Sequence, residues 1–193
     1  MRRAITVAVI AAFGFVGTAL ADEGVSYSYL EGGYVHSRLD DLDVDGSGFG
    51  IQGSYAFAPN VHGFAAYSNQ DFDFDINVDQ WEFGAGVNFS VSPKLDVVGR
   101  LAYVGVKAEV PGFASADDSG VGVSAELRSR LNDTLELHGG VSYVNLNDTG
   151  NGTAGNVGAR VYFAKMFALG ADASFDSDGA TYMLGARVDF GHP

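Results

Sequence analysis

Residues 81–89 read Trp81-Glu82-Phe83-Gly84-Ala85-Gly86-Val87-Asn88-Phe89. Trp81, Phe83, Ala85, Val87 and Phe89 alternate with Glu82, Gly84, Gly86 and Asn88. Successive side chains of a β-strand point to opposite faces, so one face here is wholly apolar and the other small or polar. Working outward, the same phase holds over residues 48–57, 95–103, 121–131, 135–143, 157–163, 167–175 and 182–190. Two more runs are weakly phased. Residues 25–37 place Tyr29 and Tyr34 on opposite faces, and residues 61–68 carry His62, Phe64 and Tyr67. Ten strands result; eight is the alternative if one pair of runs is not a pair of strands.

Which face is wet follows from three regularities. Connections alternate between long acidic ones and short turns such as Ala58-Pro59-Asn60 and Ser92-Pro93-Lys94. All four prolines lie outside the strands, as continuous pairing requires. In the clearly phased strands no position on the apolar face is charged. A soluble sandwich would turn those apolar faces inward. Strands of nine or more residues with aromatics at their ends fit instead a tilted crossing of a roughly 25 Å apolar band, with the aromatics as interfacial girdles. Backbone groups in lipid must all be paired, so such strands have to close on themselves. The fold expected is all-β: an antiparallel up-and-down transmembrane β-barrel.

Residues 1–21 read as a helical signal peptide. Arg2 and Arg3 are followed by an uncharged apolar run, Ala4 to Leu20, and by Ala19-Leu20-Ala21 as a small-x-small cleavage site. Residues 22–193 are then one barrel domain with 9 basic against 24 acidic residues. The absence of Cys removes disulfides, thiolate metal sites and Cys nucleophiles. The net charge of −13 over the full chain disfavours nucleic acid as a partner. No cofactor is expected.

At its end the chain reads Met183-Leu184-Gly185-Ala186-Arg187-Val188-Asp189-Phe190. Together with the strand pattern, this resembles the small outer-membrane β-barrel proteins of Gram-negative bacteria, the OmpA-, OmpX- and opacity-protein-like group within the porin superfamily. The resemblance implies location in the cell outer membrane, contact with its lipid and lipopolysaccharide, and an insertion signal in Gly185, Val188 and Phe190. It also implies the barrel assembly machinery as a partner.

Three constellations could carry chemistry. By facing, Glu82, Asp96, Glu126, Glu136, Asp172 and Asp189 share the lumen with Arg100, Arg128, Arg130, Arg160 and Arg187, and Glu31 joins them. Mixed signs in similar numbers suggest an ion-paired plug, because unpaired buried charge is expensive; the other reading is a narrow polar pore for small solutes or ions. Asp41, Asp43 and Asp45 are spaced like half a calcium loop, but Gln52 stands where a bidentate Glu would close it. Solvated loop charge is the expectation there, with weak divalent binding at these loops as the alternative. His138 shares a strand face with Ser142 and Glu136, and His36 adjoins Ser37. One strand cannot bring His, Ser and acid within hydrogen-bond reach, so no enzyme is expected, with an outer-membrane lipid-modifying activity kept as a further alternative. The expectation is a monomer with acidic extracellular loops and a structural or cell-surface interaction role.

Overall fold

The computed structural model describes residues 24–39, 43–112 and 115–190. Ten antiparallel strands form one closed barrel in which every strand pairs with its sequence neighbours and the first pairs with the last. They are β1 (Tyr29–Leu39), β2 (Val44–Ala58), β3 (Val61–Phe72), β4 (Ile76–Ser92), β5 (Leu95–Glu109), β6 (Ala116–Arg130), β7 (Leu135–Leu146), β8 (Gly150–Ala164), β9 (Phe167–Phe175) and β10 (Gly179–Asp189). The eight-strand alternative is therefore set aside. The signal peptide and Asp41 lie outside the described residues.

Closure runs through β1 and β10, paired from Tyr29↔Asp189 to Leu39↔Gly179. Gly33 and Gly185 face each other at the middle of this seam. A Cβ on Gly33 would sit 2.2 Å from the Leu184 carbonyl oxygen, so glycine is what lets the two backbones approach there. Without this seam, two strand edges would expose unpaired amides to lipid.

In the opening stretch, Trp81, Phe83, Val87 and Phe89 face outward and exposed, while Glu82 and Asn88 are buried inside. Trp81 and Phe89 are about 27 Å apart along the strand, which after tilt covers most of the roughly 25 Å apolar band. Aromatics gather at both ends of this belt. Trp81, Phe83 and Tyr103 cluster on the long-hairpin side, with centroids 5.5–5.9 Å apart. Tyr55 stacks edge-on with Phe57, and Phe163 on Phe167, on the short-turn side. Register shifts between Ala56 and Ala58 and between Tyr162 and Ala164 fall on this side, and the residues they skip, Phe57 and Phe163, point into the lower girdle.

Three expectations need correction. The long connections are mostly strand. Residues 145–155 read as a polar Gly-rich loop, yet only 147–149 lie outside β7 and β8. Likewise β4 begins at Ile76 and β5 runs on to Glu109. Above the membrane both faces of a strand meet water or polar neighbours, so pairing continues after the apolar signal stops. Second, β1 starts at Tyr29, and residues 25–28 leave the wall altogether. Third, the weak phase of the first and third strands has a cause: Tyr29 and Phe64 are aromatic but face inward.

The facing predicts a one-sided response to charge. Ala85→Arg, at the middle of the lipid face, should reduce the stability of the protein folded in lipid vesicles by about 2–4 kcal/mol. A Lys165→Glu change in the short β8–β9 turn should leave it within about 0.5 kcal/mol. Denaturant titration of vesicle-folded protein measures both.

Candidate functional site

The inward faces of the strands build a charged layer toward the short-turn end. Arg160 of β8 is fully buried and reaches across the barrel to Glu31 of β1, 2.9 Å from Oε2. The same guanidinium lies 3.4 Å from Asp172 of β9. Gln52 donates from Nε2 to Glu31 at 3.1 Å, so the carboxylate is held from two strands. Arg128 pairs with Glu136 on the neighbouring β7 and lies 3.9 Å from Glu126. Arg187 donates to Asp189 at 2.6 Å. Tyr162 donates to Asp189 at 2.9 Å.

Aromatic rings extend this layer. The Arg187 guanidinium carbon lies 3.7 Å from the Tyr29 ring centroid, Arg130 3.8 Å from Tyr162, and Arg100 5.1 Å from Phe64. A guanidinium on an aromatic face is stabilised by the ring quadrupole, most when both are desolvated. Facing arguments on charge alone miss Tyr29 and Phe64, because an aromatic in a strand of this fold reads first as a lipid contact, whereas Tyr162 alternates in phase with Arg160 and falls inside as that phase places it. Asp96 accepts from Tyr27 at 3.4 Å. Glu82 is buried among the inward residues of β4, and its Oε1 has no hydrogen-bond partner among the described residues.

His138 is locked into the same layer. Its Nδ1 lies 2.9 Å from Arg160 Nη1, and because a guanidinium only donates, Nδ1 is the acceptor. Its Nε2 lies 2.8 Å from Asp172 Oδ1, close in distance but off the line of the ring N–H. Both nitrogens are thus engaged by charged neighbours, and neither faces Ser142 as a base would. His36 and Ser37 point to opposite faces of β1, and Ser37 Oγ donates to Gln70 at 2.7 Å. Gly158 makes room for this arrangement. A Cβ there would lie 2.2 Å from the His138 ring and 2.5 Å from Asp172 Oδ1. Inward glycine here marks where a large polar neighbour folds over the wall.

Toward the long-hairpin end the lumen changes character. Phe64, Ala102, Val104 and Leu146 pack together inside, joined by Val106 and Val144. Val44, Phe72 and Val78 form a second group with Leu39 and Ile76. The interior is therefore ionic below and apolar above. Val44, Phe72, Val78, Val104 and Leu146 fall outside the strands read from the sequence, whereas Phe64 and Ala102 fall within them.

At the hairpin ends, Asp118 accepts from the Asp148 amide at 3.1 Å and from the Thr149 amide at 2.8 Å and hydroxyl at 2.7 Å, tying β6 to the β7–β8 turn. Asp43 pairs with Arg38 at 3.4 Å, and the Asp45 amide donates to Asp73 at 3.2 Å. Among the described residues, no three His, Asp or Glu side chains are grouped to hold a metal ion. In the C-terminal strand, Val188 lies opposite Leu30 of β1, Gly185 opposite Gly33, and the Phe190 amide donates to Ser28 at 2.8 Å.

Residues 6–175 match the outer membrane protein beta-barrel domain family. No curated protein matches the chain. Among solved structures it is similar to a KdgM porin, with 11% identity, 84% of this chain and 99% of that chain covered, and a TM-score of 0.48. It is also similar to the outer membrane protein OprG from Pseudomonas aeruginosa, with 13% identity, 85% and 95% covered, and a TM-score of 0.46. A third is Neisserial surface protein A, with 14% identity, 84% and 96% covered, and a TM-score of 0.44.

The Asp118 cluster sets a pH response outside the membrane. Partial desolvation raises its pKa, but the hydrogen bonds from Thr149, Ser119 and Asp148 outweigh this and hold it below the ordinary aspartate value. A depressed folded-state pKa contributes stability above the unfolded value and loses it as pH falls through the folded one. The Asp148 and Thr149 amides should therefore stay protected from hydrogen exchange at neutral pH, after correction for intrinsic rates. They should lose protection only below the ordinary aspartate range, and Asp118→Asn should remove the pH dependence.

Proposed function

The chain belongs to the outer membrane protein β-barrel domain family, and we propose that it is a closed surface barrel that conducts no solute. It is an outer-membrane β-barrel protein. Its finer role, in our reading, is structural and interactive: the barrel anchors a set of acidic hairpins and holds them outside the cell.

One observation carries this reading. The largest fully buried side chains are Arg128, Arg160, Arg187, Tyr27, Tyr29, His62 and Gln70, all inside the ring of strands. A conducting pore needs charged groups that face water and can exchange ions. Here three arginines are engaged by carboxylates of other residues, and apolar groups pack above them. A small barrel has room for side chains and little else.

The interactive part rests on the long-hairpin end. Asp43, Asp45, Asp71, Asp73, Asp75, Asp117, Asp118 and Asp148 gather there, with Arg38 and Lys107 as the nearby bases. Such an end repels lipopolysaccharide phosphates unless divalent cations bridge the two, with Asp43 and Asp45 among the carboxylates offered. Between Asp73 and Asp75, Phe74 stands 80% exposed with φ 65. A bulky residue held in the left-handed region and open to water suits a presented contact. Insertion through the barrel assembly machinery, reading Gly185, Val188 and Phe190, belongs to the same proposal, as does a monomeric state and the absence of a catalytic reaction.

Planar-bilayer recording of the purified, folded protein tests this reading. The expected trace shows no discrete openings above the bare membrane in either voltage polarity. Reproducible unitary steps would replace it with the pore reading.

A further inference from the structure

Residues 24–28 precede β1 and do not continue the wall. Val25, Tyr27 and Ser28 are nonetheless as buried as any core residue, at 2%, 1% and 4% exposure. An N-terminal stub hanging from the short-turn end would be exposed on every side. This one turns inward under the barrel mouth.

Its contacts are with the lumen. The Tyr27 ring lies parallel to the His62 imidazole, with centroids 4.5 Å apart and planes 7° apart. Its hydroxyl donates to Asp96 at 3.4 Å, and the Arg128 guanidinium carbon lies 5.9 Å from its centroid. Val98 and Ala56 pack against it. Arg187 donates from Nη2 to the Ser26 carbonyl at 3.1 Å. Ser28 then fastens the segment to the rim: its hydroxyl accepts from the Ala56 amide at 3.2 Å, and its carbonyl accepts from the Phe190 amide at 2.8 Å.

We propose that residues 24–28 are a cork that closes the periplasmic mouth of the barrel, with Tyr27 as its stopper and Ser28 as its hinge. Everything beyond Ser28 is held by side-chain stacking and single hydrogen bonds, whereas β1 from Tyr29 onward is paired on both edges. The two parts therefore release independently: the segment can swing out while the wall stays closed. A cleft of about 330 Å³ lies between Gly24 and Val25 of the segment and Pro93, Lys94 and Asp96 of the wall. Swung out, it uncovers His62, Asp96, Val98 and Arg128 to the periplasm. The ionic layer around Arg160 is held by its own pairs with Glu31 and Asp172 and stays in place when the segment leaves.

The chain has no Cys, so a single introduced thiol reports without background. In Val98→Cys, the thiol sits beneath Tyr27, and its rate of reaction with a charged methanethiosulfonate is measured on the full chain folded in detergent micelles. The rate should rise at least tenfold when Tyr27→Ala is added, and should change less than twofold with Tyr27→Phe, which keeps the stack. Val25→Asp, which charges a buried position outside the strands, should also raise it at least tenfold. Heat-modifiable migration checks that each barrel is folded. Equal rates with and without Tyr27→Ala and Val25→Asp would overturn the proposal. So would loss of the folded barrel in both variants, since the segment would then be part of the fold and not a removable cork.

Discussion

The structure depends on one constraint: within lipid, no backbone amide can be left without a partner. A strand cannot meet that requirement alone, and an open sheet fails at its two edges. The β1–β10 seam satisfies it, and the Gly33–Gly185 contact lets the backbones come close enough there. Once the ring closes, the alternation of Trp81 to Phe89 has only one stable sense. Its apolar face meets lipid, and Glu82 and Asn88 must go inside.

Closure then creates a second problem. It collects Arg100, Arg128, Arg160 and Arg187 with several carboxylates in a space that water enters poorly. Removing one partner of a buried pair costs about 3–5 kcal/mol, because the other charge stays behind without compensation. The barrel answers with geometry. Arg160 serves Glu31 and Asp172 at once, with His138 between Arg160 and Asp172, and glycine at 158 gives the ring its space. The rings of Tyr29, Phe64 and Tyr162 cover the guanidinium groups of Arg187, Arg100 and Arg130 as well. The wall and its contents are thus two consequences of the same pairing rule, one for the backbone and one for side chains.

Much of this was legible in the sequence, and the gaps have physical reasons. Strict period-two alternation in eight runs gave the barrel and the facing of each clear strand, because lipid tolerates no charge on the outer face; the count of ten rested on two weakly phased runs and was settled by the closed ring of strands. The seams and partners were not legible. Nothing local tells Arg160 that its acceptor is Glu31, 129 residues away. Tyr29 and Phe64 blurred their strands because an aromatic serves equally as a lipid contact or a cation's neighbour. Val25 and Tyr27 mimicked the first residues of a strand while folding into the mouth. The hairpin extensions read as loops because above the membrane no lipid imposes a phase.

Side-chain pairing across the lumen, and not lipid contact alone, holds the barrel's interior shut. The Arg160–Glu31 pair is the most direct place to measure it. A double-mutant cycle of Arg160→Gln and Glu31→Gln, read as free energy of folding into vesicles, should give a favourable coupling of at least about 1 kcal/mol between β8 and β1. Each single change should cost more than the double change adds to it. Effects that simply add, within about 0.5 kcal/mol, would contradict the claim and leave those charges as passengers in a wall held by the membrane.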